Sequence, residues 1–464
     1  MSPVVNDIHS ELNETTVSEI TAVSSVEEVQ HTIRRAADVG VPVSIAGGRH
    51  AMGGQQFCSD GVLLDMSGLD GVVSFDRDGG TIEVEAGIEW PALIEYLSDR
   101  PGSDGVPWAI RQKQTGADRL SIGGALAANA HGRGLTFPPF VSDVESFMLV
   151  DLRGELVGCS RDENPELFAL VAGGYGLFGC VASVTMRLVP RQTLERVVEV
   201  RPIDDLIAML DSRIDDGFLY GDFQFATDPE SEDFLRRGVF SCYRPVEHDG
   251  PLPSGQRALA RDDWTRLIAL AHADKRRAFD LYAEHYLATT GQLYYSDAHQ
   301  LADYEDGYHR ALDVALGAPH RATEMISELY VPRDRLADFM GDVADDFRRN
   351  QVDVIYGTIR LIERDEDSFL AWAREPWACV IFNLHTVHTE EGIAHSADAF
   401  RRLIDMAADR GGSYFLTYHR WATRNQVERC YPRFGAFLEA KLRHDPDERF
   451  QSDWYRHHRE LFAP

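Results

Sequence analysis

The sequence predicts an α+β protein of two domains, and three observations carry that prediction. Between residues 41 and 189, short β-type runs alternate with turns and helical stretches, without the strict strand–helix–strand repeat of a parallel α/β fold. Composition changes after Pro190-Arg191, and alternating strands return only near residue 328. At 464 residues the chain exceeds one ordinary domain and can bury a sizeable core.

The elements follow in order. Residues 1–17 are polar and read as a loose arm. Ser24-Ser25-Val26-Glu27-Glu28-Val29 has the serine-then-carboxylate pattern of a helix start, and residues 31–37 continue it. Strands are predicted at 41–45, 62–66, 72–75, 81–86, 147–152 and 181–189, with helices at 90–97 and 166–172. Farther on, 263–288 reads as one long helix with a charged face. Strands at 328–331, 354–362 and 380–387, a helix at 399–408 and a strand at 414–418 complete the pattern. No internal repeat or low-complexity tract interrupts it.

Bulk chemistry excludes several functions. The net charge of −29, from 46 basic and 75 acidic residues, repels nucleic acid and anionic membrane surfaces. A hydrophobic content of 44% describes a globular chain. Six cysteines (Cys58, Cys159, Cys180, Cys242, Cys379, Cys430) form no CxxC pair, so neither a metal site nor a disulfide framework is expected. No secretory pattern and no membrane-length apolar run is visible, which makes the expected location cytoplasmic.

Two segments carry chemistry. In Ser44-Ile45-Ala46-Gly47-Gly48-Arg49-His50-Ala51-Met52-Gly53-Gly54-Gln55 a β-type run enters paired glycines that flank a cation and a histidine. Such a loop brings backbone N–H groups close to a ligand and can cradle phosphate oxygens, although a tight turn with a surface histidine reads the same way. Between Gly116 and Gly132, bulky side chains nearly vanish after Ile122. Backbone of that kind suits a large flat ligand, or a close helix crossing. A third pattern, Gly174-x-Gly176-x-x-Gly179, fits a dinucleotide motif, but a helix precedes it and a strand follows. That context is inverted, so NAD binding is rejected.

Taken with Val84-Glu85-Ala86-Gly87-Ile88-Glu89-Trp90, Gly173 to Gly179, Tyr431-Pro432-Arg433-Phe434, His444-Asp445-Pro446 and Phe450-Gln451-Ser452-Asp453, these segments mark a resemblance. The chain resembles a flavoprotein of the vanillyl-alcohol oxidase and p-cresol methylhydroxylase (PCMH) superfamily, nearest to the alditol oxidases and decaprenylphosphoryl-ribose oxidases. The likeness runs from about residue 20 to the end and is weak in the middle. It implies a two-subdomain PCMH-type FAD-binding domain over 18–191 and an α+β substrate domain with an antiparallel sheet over 192–420. Residues 421–464 would pack back on the FAD domain.

The resemblance also implies a site. FAD would be held by Ala46, Gly47, Gly48, Arg49, His50 and Ala51, by Gly116, Ser121, Gly123, Gly124, Asn129, His131 and Gly132, and by Gly179 and Val181. His50 stands where histidyl-flavin members join the 8α-methyl of the ring; the alternative is a histidine packed beside it. A second, cysteinyl bond is not expected, because Ala117, Asp118 and Arg119 occupy its place. Ser121 reads either as a neighbour of the flavin and substrate or as a capping hydroxyl. His131 reads either as a cofactor contact or as a satisfied buried histidine.

For catalysis, Arg360 matches an arginine facing the flavin, where a fixed cation stabilises developing negative charge. Thr358 replaces a glutamate of the relatives, and Asn383 and His385 alternate into the same expected cavity. The relatives' lysine is missing near Thr417 to Trp421, so His419 or Tyr418 would accept the substrate proton, or Tyr418 is simply a core residue. The implied reaction is oxidation of a CH–OH group of a polyol or sugar-like alcohol by hydride transfer to flavin N5. Oxygen or another acceptor would then reoxidise the cofactor, and a bulky Leu120 facing the ring would slow oxygen. The alternatives are a biosynthetic tailoring flavoenzyme with a larger alcohol, amine or cyclisation precursor, and a flavin-free binding protein.

Overall fold

Local signals set the first elements. Ser25 caps the helix Val26–Asp38: its hydroxyl accepts from the Glu28 N–H at 3.3 Å, while the Glu28 carboxylate accepts from the Ser24 N–H at 2.8 Å. The helix buries Val29, Ile33 and Ala36 against a three-stranded parallel sheet of Glu19–Ala22, Val62–Asp65 and Val43–Ala46. The computed structural model describes residues 2–102, 105–248, 250–302 and 307–463.

A five-stranded antiparallel sheet follows, ordered Leu156–Ser160, Val144–Val150, Cys180–Arg187, Thr81–Glu85 and Val72–Asp76. The helix Pro165–Val171 precedes the glycine-rich turn at 173–179, and the strand Cys180–Arg187 follows it, the order opposite to a nucleotide-binding strand–turn–helix.

The second half is built on an eight-stranded sheet. Its order is Leu293–Tyr295, Thr193–Pro202, Arg237–Pro245, Tyr220–Phe225, Val354–Ile362, Trp377–Val387, Ala322–Pro332 and Ser413–Tyr414, with antiparallel pairing throughout. Helices Leu336–Asn350 and Glu390–Asp409 bury Phe339, Val343, Phe347, Phe400 and Leu403 in the core on one face. Because strand side chains alternate, the opposite face presents Glu324, Ile326 and Glu328 beside Ile381 and Asn383, and then Tyr356, Thr358 and Arg360. The α+β architecture with an antiparallel sheet is the one expected.

The C-terminal segment returns to the first half. The Val43 N–H donates to the Arg449 carbonyl at 2.7 Å, and the Gln451 N–H donates to the Val43 carbonyl at 2.9 Å. Phe450 thereby joins the three-stranded sheet by a parallel bridge. Among the described residues no helix is long and apolar enough to cross a membrane.

Five local expectations need correction. Strands resume well before residue 328, at Thr193–Pro202, Tyr220–Phe225, Arg237–Pro245 and Leu293–Tyr295. The arm at 2–17 is folded: Val4–Val5 pairs with Thr15–Thr16, and Val17 is fully buried. Side chains hold it, since Asn13 Nδ2 donates to Asp7 Oδ2 at 2.9 Å and to the Met52 carbonyl at 2.6 Å. The long helix divides into Arg261–Ala273 and Lys275–Leu287, because Asp274 leaves helical geometry (φ −151, ψ 80) and caps the second piece. The helix over 399–408 begins earlier, at Glu390, where Thr389 caps it. Strand pairing at 414–418 stops after Tyr414, and the chain turns.

Asn13→Ala tests the folded arm. It removes three buried hydrogen bonds and leaves the Met52 carbonyl short of a donor, so urea unfolding should show a loss of about 1–3 kcal/mol. An unchanged midpoint would mean the arm contributes nothing to stability.

Candidate active site

A cavity of about 1480 Å³ runs between the first half and the exposed face of the eight-stranded sheet. That exceeds the roughly 300–1,000 Å³ of an ordinary small-ligand site. Gly47, Gly48, Arg49, His50, Ala51, Gly116, Ser121, Gly123, Gly124, His131, Gly179 and Val181 line it from one side; Thr358, Arg360, Asn383 and Tyr418 line it from the other.

The loop after Val43–Ala46 is pressed against residues 119–121. A Cβ at Gly48 would lie 2.3 Å from the Arg119 carbonyl oxygen and 2.8 Å from the His50 ring, and one at Gly47 would lie 2.1 Å from Ser121 Oγ. Glycine is therefore required at both positions. Arg49 adopts left-handed geometry (φ 59), which turns His50 toward the cavity. His50 Nε2 lies 3.0 Å from the Arg119 carbonyl, and Nδ1 lies 2.8 Å from His9 Nε2. A carbonyl oxygen only accepts, so the proton of neutral His50 sits on Nε2, and Nδ1 accepts from His9. Burial, reinforced by the neighbouring His50 and His309, holds the His9 pKa well below the usual histidine range.

Ser121 serves as N-cap of the helix Ile122–Ala128, accepting from the Gly124 N–H at 3.2 Å, while also lining the cavity. Behind it Gly123, Gly124, Ala127, Ala128 and Ala130 give the wall almost no side-chain relief.

Opposite this wall lies a buried charge network centred on Glu328. Its Oε1 lies 2.7 Å from His131 Nε2, Tyr330 donates to it as well, and the Tyr418 hydroxyl donates to Oε2 at 3.2 Å. Burial raises the Glu328 pKa, but the His131 charge and the hydrogen bonds outweigh burial and hold it below the ordinary glutamate value. Burial and the adjacent Glu328 push Tyr418 well above the ordinary phenol range, so its hydroxyl stays protonated. Arg360 is 7% exposed, and among the described residues its Nε has no hydrogen-bond partner; nor has the hydroxyl of buried Thr358. A buried N–H donor without a protein acceptor favours an electron-rich ligand, while the guanidinium's charge also acts on Glu328.

Five sequence-predicted residues are not on the cavity wall. Ala46 packs with Val5, Val17, Phe57 and Leu63. Asn129 ends its helix in left-handed geometry and is consumed by structure: it donates to Asp365 at 2.9 Å and accepts from the Val141 N–H at 3.0 Å. Gly132 abuts the Lys113 carbonyl, 2.6 Å from where a Cβ would stand. His385 turns toward Glu324. His419 lies in an aromatic stack with Phe400 (ring centroids 4.6 Å apart), Trp421 and Tyr414, and burial pushes its pKa down to about 3. It is too poor a base, and too far inside the core, to take a substrate proton.

Sequence reasoning missed Glu328 and His9. The available signal for Glu328 was a carboxylate at an inward position of an apolar strand, a place where acids are almost never found unpaired. His9 lay in a polar arm and gave no signal.

Comparison with known proteins adds the cofactor. Residues 18–160 match the family described as FAD binding domain. The chain is 26% identical over 439 residues, 95% of each chain, to an L-gulono-1,4-lactone dehydrogenase of Mycobacterium tuberculosis. Over 191 residues it is 26% identical to the L-gulonolactone oxidase of Bos taurus, covering 41% of this chain and 42% of that one. Over 171 residues it is 34% identical to cytokinin dehydrogenase 3 of Oryza sativa, covering 36% and 31%. The cavity fits FAD: a wall of small residues accepts a flat ring system, and the Arg360 Nε offers a buried N–H donor. Residues 18–160 are an FAD binding domain, and the chain, similar along its length to a lactone dehydrogenase, is an FAD-dependent oxidoreductase.

Proposed function

We propose that this enzyme oxidises a CH–OH group of a sugar-like alcohol, the class that includes polyols and the hydroxyl-bearing aldonolactones. The observation that carries the reading is one cavity holding a protonated phenol on a buried carboxylate (Tyr418 and Glu328) and a buried guanidinium, Arg360, whose Nε has no hydrogen-bond partner among the described residues. The relatives named as gulonolactone oxidoreductases support the substrate class.

When bound, FAD would supply a two-electron acceptor for the substrate hydride. The loop 47–51, the small-residue wall from Ser121 to Ala130, Gly179 and Val181 would hold it, and the His50 imidazole would offer a nitrogen for a bond to the 8α-methyl. Tyr418 takes the proton of the substrate hydroxyl as its own passes to Glu328, 3.2 Å away. His131 fixes Glu328 and offsets its charge. Arg360 stabilises negative charge on the reacting centre, while Thr358 and Asn383 orient the substrate's other hydroxyls. Ser121 positions the helix end and moves no proton. Leu120 also lines the cavity, which supports reoxidation by an acceptor other than oxygen; Leu120→Gly should then hasten reoxidation by oxygen in stopped flow.

A second reading draws on a specific feature. Away from the small-residue wall the cavity continues into a lobe lined by Phe225, Trp264, Leu267, Ile268, Phe279 and Tyr282. An apolar lobe favours an alcohol with a hydrocarbon or aromatic part, as in a tailoring enzyme. Anaerobic bleaching by a cell extract, with no bleaching by polyols, sugars, aldonolactones or simple secondary alcohols, would select it and sink the first.

Two further outcomes are expected. Acid precipitation should give a yellow pellet for the wild type and a yellow supernatant for His50→Ala; a colourless wild-type pellet would remove the covalent bond. Tyr418→Phe and Glu328→Gln should keep FAD but slow anaerobic reduction by about 10²–10⁴-fold. Because the Glu328 pKa is lowered, its carboxylate persists as pH falls, and the acid limb of wild-type reduction should lie below pH 4.5. Reduction rates within a few-fold of wild type in both variants would overturn the proton path.

A further inference from the structure

A second buried knot of ligand atoms lies on the same sheet face, beyond Ile326 and Asn383. Glu324 and His385 are direct cross-strand partners. The helices Arg261–Ala273 and Tyr308–Leu316 bring His272 and His309 onto them. His272 Nε2 lies 3.0 Å from Glu324 Oε1, His309 Nδ1 lies 2.7 Å from Oε2, and His385 Nδ1 lies 3.6 Å from Oε1. The ligand atoms of His272, Glu324 and His385 all fall within 4.8 Å of one another. Three of the side chains are 5–6% exposed, and His385, at 22%, opens the cluster to solvent.

Proximity alone would suit a hydrogen-bonded cluster, but the angles do not. His272 Nε2, His309 Nδ1, His385 Nδ1 and Glu324 Oε1 are all buried, and among the described residues none makes a hydrogen bond of acceptable geometry. Tyr308 donates to Glu324 Oε2 and orients the carboxylate. Three lone-pair atoms, His272 Nε2, His385 Nδ1 and Glu324 Oε1, thus converge with no proton aligned between them, an arrangement that is costly unless something else satisfies it. Two imidazoles and a carboxylate are a three-ligand donor set for a tetrahedral transition-metal ion whose fourth position is open to water.

We propose that His272, Glu324 and His385 bind one divalent transition-metal ion of the zinc class, while His309 and Tyr308 hold the other carboxylate oxygen, so that the ion fastens the helix Arg261–Ala273 to the sheet. The attachment matters because Arg261–Ala273 has no fully buried residue of its own, yet it forms one wall of the apolar lobe. The ion takes no part in the redox step; it sets the shape of the lobe. The inference stands on the donor geometry and does not depend on the substrate proposed above.

The test uses untagged holoprotein. Metal content after exhaustive dialysis should be about one zinc per chain, held by three protein ligands with the fourth position open. Chelator-stripped protein should take up Zn²⁺ with the same stoichiometry by calorimetry and gain thermal stability as it does so. Replacement by Co²⁺ should give the intense visible bands of a tetrahedral ion in difference spectra against the flavin. His272→Ala and His385→Gln should lose the metal and the Zn²⁺-dependent melting shift while keeping flavin absorbance. If either variant fails to fold, the Co²⁺ spectrum of the wild type decides. Stripped wild-type protein that binds no Zn²⁺ stoichiometrically, or variants that bind it as well as wild type, would overturn the proposal.

Discussion

The carboxylate of Glu328 is a charge removed from water, and the two halves of the molecule meet around the need to compensate it. Its side chain is 1% exposed, and its partners come from different parts of the chain. His131 follows the helix Ile122–Ala128 of the FAD domain, Tyr330 is on its own strand, and Tyr418 is on the turn beyond the last strand. A buried ion stripped of its partner costs several kcal/mol, so the position of each half is tied to the other through this one group. The same compensation leaves a carboxylate poised beside a protonated phenol at a cavity wall. Structural and chemical demands on Glu328 therefore coincide.

The opposite wall is governed by closeness of approach. With backbone of the 47–51 loop pressed on residues 119–121, there is no room for side chains between them, and the histidine that follows is oriented by the same contact. His9 completes the arrangement from the folded N-terminal arm, which explains why a segment so polar is fastened by Asp7 and Asn13 to the Met52 carbonyl. The setting of His50 thus depends on hydrogen bonds made by the first seventeen residues.

How much of this was legible in the sequence follows from the physics of each signal. Glycine pairs and an alanine-rich run are legible because only close packing against backbone or a flat ligand explains them. The loop 47–51 and the wall from Ser121 were found on that basis. Glu328 escaped because its neighbours Leu329, Tyr330 and Val331 read as plain core, and a buried acid is visible only once its partners are known. His419 was misjudged because pairing ends at Tyr414 and the turn carries its ring into the core beside Phe400. Asn129 was misjudged because left-handed helix ends favour asparagine for conformational reasons that resemble a functional requirement. The break at Asp274 could have been read from the cap residue itself.

The two sides of the cavity are held by different means, and this bears on specificity. The small-residue wall and the Glu328 network are embedded in the main core, where a change of shape is penalised by packing on every side. The helices Arg261–Ala273 and Lys275–Leu287, in contrast, contribute a single buried residue, Ala283, so the outer lobe rests on few apolar contacts. Such elements tolerate sequence change at little cost to the fold, while the wall of small residues must keep its shape. Under the proposed function, selectivity is therefore set chiefly by these outer helices, and the polar cluster at Glu324 is the point where Arg261–Ala273 is anchored to the rigid sheet.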